Sequence, residues 1–246
     1  MTEVTARPRR RSSVRQYLPP QHGAWAMLLL PYLAGVTAAG FRWPDVPLLA
    51  TWLTGYLLSY FVLQAVKTRR PHRFRAPLTW YAPLTAGFGL IVAVARPQLL
   101  LYAPAYAALF AVNVRYAARR QERALLNDLA SVLQSCLMVF VVATVADRPP
   151  HTAVIPFAVT LLYFTGTVLY VKTMIRERGS APYRRASIAY HAAALAAAAA
   201  IGWFPSAVFA LLLARAWLLP ARPLTPKQVG LIEIAASALV LTAATI

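Results

Sequence analysis

The sequence predicts an all-α, polytopic membrane helical bundle. Of its 246 residues, 59% are hydrophobic and only 13% are charged, and the apolar residues gather into nine runs of span length. A helix needs about 20 predominantly apolar residues to cross the hydrocarbon core of a bilayer, and a soluble domain carries roughly twice this charge content. In chain order the runs are 22–40, 46–66, 77–95, 97–114, 125–146, 152–172, 186–202, 203–220 and 227–246. Where two runs almost touch, Pro97 after Arg96 and Pro205 after Gly202-Trp203-Phe204 mark tight hairpins between antiparallel spans;.

Basic clusters separate the remaining runs and set their direction. Arg7, Arg9, Arg10, Arg11 and Arg15 precede the first run, Lys67 to Arg75 follow the second, and Arg115 to Arg123 follow the fourth. Lys172 to Arg185 follow the sixth, and Arg215, Arg222 and Lys227 belong to the eighth and its loop. All but Arg42, Arg96 and Arg148 of the 25 Lys and Arg therefore fall at one end of the predicted bundle. Short cytoplasmic loops retain Lys and Arg, so the expected topology has the N-terminus in and, with an odd number of spans, the C-terminus out. The formal net charge of +18 is thus topological, and nucleic acid is not an expected partner;. Residues 1–16 read as a disordered basic cytoplasmic tail attracted to anionic membrane lipid, and 17–246 as a single transmembrane domain;. The lone Cys136 lies inside an apolar run and reads as a small buried hydrophobe;.

A polar side chain inside a span costs free energy and should face the bundle interior. The second run carries Tyr56, Tyr60, Gln64 and Lys67 on one helical face, with Arg70 just beyond;. The fifth opens with Asn127 and Asp128 and continues Ser131, Gln134 and Ser135. The sixth aligns Thr160, Tyr163, Thr167 and Tyr170, followed by Lys172 and Arg176. Together these stripes predict one basic, cytoplasm-facing cavity between three helices. Ser and Thr taken singly are better explained by hydrogen bonds between helices, and snorkelling to the headgroups is an alternative for Lys67 and Lys172. Glu233, a few residues into the last run, is expected to pair with an arginine of the loop before it.

The tripeptide Val-Lys-Thr occurs twice, at 66–68 and 171–173, each time where an apolar run gives way to a basic cluster. If the regions 46–75 and 152–181 are a pseudo-repeat, the two lysines should face one another at one mouth. Familiar catalytic chemistry is absent: no Gly-rich phosphate loop, nucleophile elbow or paired-carboxylate motif stands in the chain, and the four histidines lack metal-ligand spacing;.

The stretch Pro19-Pro20-Gln21-His22-Gly23-Ala24-Trp25-Ala26-Met27 resembles the signature of the YwiC-like family of bacterial membrane proteins. That resemblance implies a multi-pass protein of the bacterial inner membrane and no particular activity. Gln21, His22 and Trp25 would stand at the cytoplasmic turn of the first helix. The nine-span architecture is also similar to the UbiA superfamily of intramembrane prenyltransferases, where Asp-rich motifs after the second and sixth helices hold a diphosphate through magnesium. Here those positions read Gln64 to Arg70 and Tyr170 to Glu177, with no acid between Val46 and Gln121. The expected ligand is therefore an anionic amphiphile, a lipid phosphate or prenyl diphosphate held directly by Lys and Arg with no cofactor. The enzyme alternative is a UbiA-like transferase using magnesium with Asp128 or Glu177 as base; a transporter and a scaffold are the non-catalytic alternatives.

Overall fold

The computed structural model describes residues 17–19 and 24–245, which form helices and the turns between them. The expected tail, Gln21 and His22 lie outside the described residues. The helices are α1 (Ala24–Ala39), α2 (Asp45–Thr68), α3 (Arg75–Ala95), α4 (Ala103–Ala118), α5 (Leu125–Cys136), α6 (Met138–Val145), α7 (Val154–Ile175), α8 (Ala181–Ala199), α9 (Trp203–Leu218) and α10 (Pro226–Ala243). Short 3-10 segments opening on Pro71, Pro97 and Pro150 lead into α3, α4 and α7. Proline suits that position because its fixed φ is already helical and the N–H it lacks has no partner there. At α10 the start signal is a capping box, with Thr225 and Gln228 exchanging side-chain and backbone hydrogen bonds;.

Only Leu137 separates α5 from α6, and its φ of −56° and ψ of −21° tighten one turn without ending the rod;. Each of the nine apolar runs thus becomes one rod. Among the described residues, seven of these rods are long and apolar enough to cross a membrane. The other two are α1, short at 16 described residues, and α8, an alanine-rich helix that carries Arg184, Arg185, Ser187 and His191.

At the centre α1 packs against α5, α6, α7 and α10. The α2–α3 hairpin and α4 flank one side, and α8, α9 and α10 the other. The main core draws Leu30 and Ala34 from α1, Val132 and Cys136 from α5, Tyr163 and Phe164 from α7 and Phe209 from α9. Close approach of α1 to α6 depends on Gly35, where a Cβ would stand 2.8 Å from that of Val142;. Outward, Trp80, Val94, Leu101, Trp203, Leu231 and Ile234 are exposed, as expected of a bundle whose surrounding solvent is hydrocarbon;.

Pro31 lies inside α1 and offers no N–H to the Met27 carbonyl one turn earlier;. Ser135 of α5 donates its hydroxyl to that carbonyl, and Trp52 of α2 donates Nε1 to the Leu28 carbonyl at 3.0 Å. Ser135 is therefore adhesive between helices, and not a wall of the cavity that its stripe suggested. The two Val-Lys-Thr ends also differ. Helix α2 stops at Thr68, with Arg69 in the left-handed region at φ 55° and its N–H bonded to Val66, whereas α7 runs on to Ile175.

A candidate anion site at the basic end

Two polar clusters, not one cavity, occupy the basic end of the bundle. The first is built on the loop between α4 and α5. Lys67, at the end of α2, forms an ion pair with Glu122. Lys172, near the end of α7, reaches Asp128 at 2.8 Å and donates to the backbone carbonyl of Arg123 at 2.6 Å. The two lysines thus grip consecutive residues of one loop, whose Cα atoms are ~3.8 Å apart. Beneath them, Asn127 donates to the Glu122 carbonyl at 2.8 Å and accepts from Asn113 of α4 at 2.9 Å. Asn113 also donates to Ser131 at 3.1 Å.

This arrangement corrects the sequence reading of the lysines. Both are neutralised by acids, so neither is an unoccupied cation awaiting an anion. Asn127 joins α4 to α5, and Asp128 is held by a lysine instead of standing ready as a base. Tyr60 is half-buried with its ring 5.1 Å from that of Phe61, Gln64 and Gln134 are half-buried on α2 and α5, and Arg70 and Arg176 are exposed. Glu177 faces a cleft of ≈ 150 Å³ bounded also by Thr173, Ser180, Arg184 and Pro220.

Burial acts to raise the Glu122 pKa, but the hydrogen bond and charge of Lys67, with Arg123 nearby, outweigh it and hold the carboxyl below its ordinary range;. A depressed carboxylate contributes stability that is present above its unfolded value of about 4.3 and lost as pH falls through the lower folded value. Unfolding curves of the wild type and Glu122→Gln should therefore differ at neutral pH and converge only once pH drops well below that unfolded value. A gap that closes between pH 7 and 5 would remove the Lys67 pairing as its cause.

The second cluster lies deeper, between α7, α8, α9 and α10. Arg215 of α9, only 8% exposed, forms an ion pair with Glu233 of α10, and its guanidinium carbon sits 4.2 Å above the ring centre of Tyr170. Thr167 and Tyr163 donate to the other Glu233 oxygen at 3.0 and 3.3 Å, and Tyr163 also meets Ser237 at 2.9 Å. Tyr163, Thr167 and Tyr170 of α7 therefore face α9 and α10, whereas Thr160 bonds within its own helix and Lys172 reaches the first cluster. Glu233 does pair with an arginine, but one in the last turn of α9 instead of the following loop. Sequence reasoning treated Arg215 as one more topological charge, and its place inside the apolar stretch 203–220 was the signal that could have singled it out;.

Five polar atoms around this cluster are buried without a hydrogen-bond partner: Nε and Nη2 of Arg215, the Tyr170 hydroxyl, the Ser187 hydroxyl and Nε2 of His191. Each forfeits a bond that water would have supplied. Arg215 also lines the end of an apolar groove of ≈ 340 Å³ between α9 and α10, walled by Leu211, Leu218, Ile232 and Leu239. Cation donors at the end of a hydrocarbon-lined groove are the elements of a site for an amphiphilic anion.

A bundle of long apolar helices with an ion pair buried at one end defines a multi-pass membrane protein. The chain belongs to the YwiC-like family, whose model matches residues 18–143. It is 33% identical to the uncharacterised protein YwiC of Bacillus subtilis over 229 residues, covering 90% of this chain and 93% of that protein. It is 32% identical over 220 residues to an uncharacterised protein of Haemophilus influenzae, covering 89% of this chain and 92% of the relative. No solved structure matches the chain.

Proposed function

We infer that this protein binds an anionic amphipathic ligand, a phosphorylated isoprenoid or lipid, with the head group at Arg215 and the chain along the α9–α10 groove. The observation that carries the reading is the buried Arg215 guanidinium, which spends one N–H on Glu233 and keeps Nε and Nη2 unpaired at the end of an apolar channel. Glu233 cancels its formal charge, so the attraction for a further anion comes from the surrounding basic end. Arg178, Arg184, Arg185, Arg222 and Lys227 stand in the adjoining loops and helix starts, and their summed field favours anions there;. The same excess of basic residues orients this end toward the cytoplasm of the cell membrane.

The test is thermal stabilisation of the purified protein in lipid nanodiscs by farnesyl diphosphate, by farnesol and by inorganic diphosphate, each with chelator and with magnesium. A ligand that binds only the folded state adds about 2.7 kcal/mol at a hundredfold excess over its Kd. Farnesyl diphosphate should stabilise with chelator present, and each half-molecule should do so far less. Arg215→Lys, which keeps the charge and loses the fork of donors, should weaken binding by about tenfold or more. Equal stabilisation by farnesol would overturn the anion site. Binding that requires magnesium would instead favour the transferase reading through Asp128 and Glu177.

A further inference from the structure

Helices commonly end on a residue in the left-handed region, and glycine adopts it without steric cost. Among the described residues five stand there: Gly40 after α1, Asp147 after α6, Gly179 beyond α7, and two arginines, Arg69 after α2 and Arg120 after α4. Asp147, at φ 54°, has its carboxylate engaged by Arg96 at 2.8 Å. Arg69 and Arg120, at φ 55° and 58°, are exposed, and neither side chain has an ion pair or hydrogen bond among the described residues. An arginine is disfavoured in this conformation because its Cβ crowds the following carbonyl oxygen. The bonds that close α4, from Arg120 N–H to the Ala117 carbonyl at 3.0 Å and from Gln121 N–H to the Tyr116 carbonyl at 2.9 Å, involve backbone only, and glycine would form them equally well. Topology and the helix dipole ask only for cations near these ends, and Arg70 and Arg119 supply them at negative φ;. The two strained arginines therefore call for a use of their side chains.

The two helix ends are neighbours. Helix α2 packs on α4, and Lys67 pairs with Glu122, so Arg69 lies two residues beyond one partner of that ion pair and Arg120 two residues before the other. The stretches 69–75 and 115–123 hold four exposed arginines each, and Glu122, the one acid in either, is taken by Lys67. The patch also borders hydrocarbon. Trp80 of α3, 62% exposed, stands ~7.5 Å along the helix from Arg75, and tryptophan is a side chain of the headgroup level;. We propose that this patch binds an anionic phospholipid from the membrane leaflet at the basic end, with Arg69 and Arg120 donating to its phosphate and its acyl chains descending past Trp80. A guanidinium offers a planar fork of donors that matches a phosphate, and basic recesses between helix ends suit anionic head groups. A soluble polyanion would meet the charges but leave the apolar border unused. The patch lies on the α2–α4 side of the bundle, away from the α9–α10 groove, so it stands or falls independently of Arg215.

The experiment places the full chain in nanodiscs of phosphatidylcholine alone and of phosphatidylcholine mixed with phosphatidylglycerol. Native mass spectrometry counts the phosphatidylglycerol retained, and thermal unfolding reads the stabilisation it gives. The wild type should retain phosphatidylglycerol and melt at a higher temperature in the mixed bilayer. Arg69→Gly combined with Arg120→Gly should melt within about 2–4 °C of the wild type in phosphatidylcholine alone, because glycine takes the same backbone without strain. Its affinity for phosphatidylglycerol should nonetheless fall by about tenfold or more. Arg70→Gln combined with Arg119→Gln removes the same charge from adjacent positions and should weaken binding far less. Equal weakening by the two double variants would show a diffuse basic field and overturn the assignment to Arg69 and Arg120. A large fall in melting temperature of the glycine variant in phosphatidylcholine alone would make the arginines structural, which also overturns it. Stabilisation by a soluble poly-glutamate peptide as large as that by phosphatidylglycerol would replace the lipid with a soluble partner, and no retention of phosphatidylglycerol by the wild type would remove the site.

Discussion

Arg215→Met should destabilise the folded bundle by about 3–5 kcal/mol, because it leaves the Glu233 carboxylate buried without its cation. The side chains of Arg215 and Glu233 are 7% and 14% exposed, so water cannot take over the lost interaction. Thr167 and Tyr163 still donate to Glu233, which softens the loss without supplying a charge. Glu233→Met should cost a similar amount for the converse reason, with the added burden of a guanidinium at the end of an apolar groove;. The double substitution should recover most of the stability, since two apolar side chains of similar volume replace an ion pair whose desolvation cost was large. Denaturant or thermal unfolding of the four proteins in one lipid environment measures this directly. Additive losses in the double variant would mean that the two groups act independently, which the ion pair forbids.

Recovery of stability without recovery of binding would separate the pair's part in the fold from the binding proposed for it. A buried ion pair contributes little net stability over an apolar replacement, so its presence is weak evidence for a structural purpose. In a membrane bundle the argument is sharper, because the surrounding lipid offers no water to any polar atom left unpaired. The cluster leaves Nε and Nη2 of Arg215 and the hydroxyl of Tyr170 unpaired within one site. Methionine and phenylalanine would fill that space at lower cost, so packing alone does not account for these residues.

The helices were legible in the sequence because their signal is length and hydropathy, which the bilayer imposes before any tertiary contact forms. Helix α8 shows the limit of that signal: alanine is helix-forming but weakly apolar, so residues 181–199 form a rod without the character of a full span;. The candidate site was less legible. Helical periodicity told which residues of α7 share a face, but not which helix that face meets. Thr167 and Tyr163 therefore read as lining a cavity shared with α2 and α5, whereas they meet Glu233 of α10. Lys67 and Lys172 were visible as a pair through the repeated tripeptide, and the structure brings both to the loop between α4 and α5. Glu122, which neutralises Lys67, looked like an ordinary loop residue, and Asp128 read as a base or ligand contact, whereas it pairs with Lys172. His191 was one of four scattered histidines, and its packing on Gly166 is a tertiary contact that spacing along the chain does not reveal.

Ser135→Ala should cost about 1–3 kcal/mol, the penalty for leaving a buried acceptor unsatisfied. That acceptor is the Met27 carbonyl, which Pro31 leaves without its helical partner and which Ser135 supplies from the neighbouring helix. The interaction exists only because of the proline, so its value should depend on the proline being there. In Pro31→Ala the residue at 31 regains an N–H, the Met27 carbonyl is satisfied within α1, and the Ser135 hydroxyl becomes redundant. Ser135→Ala in that background should therefore cost no more than a few tenths of a kcal/mol, comparable with truncating a serine that holds no essential acceptor. The nonadditivity isolates the helix-to-helix bond from the general effect of either change. Gly35, one turn beyond Pro31, holds α1 against α6 in all four proteins, so the packing that brings α1 to its neighbours stays constant across the cycle. Equal costs of Ser135→Ala in both backgrounds would show that the hydroxyl stabilises α5 by some route other than the gap that Pro31 opens in α1.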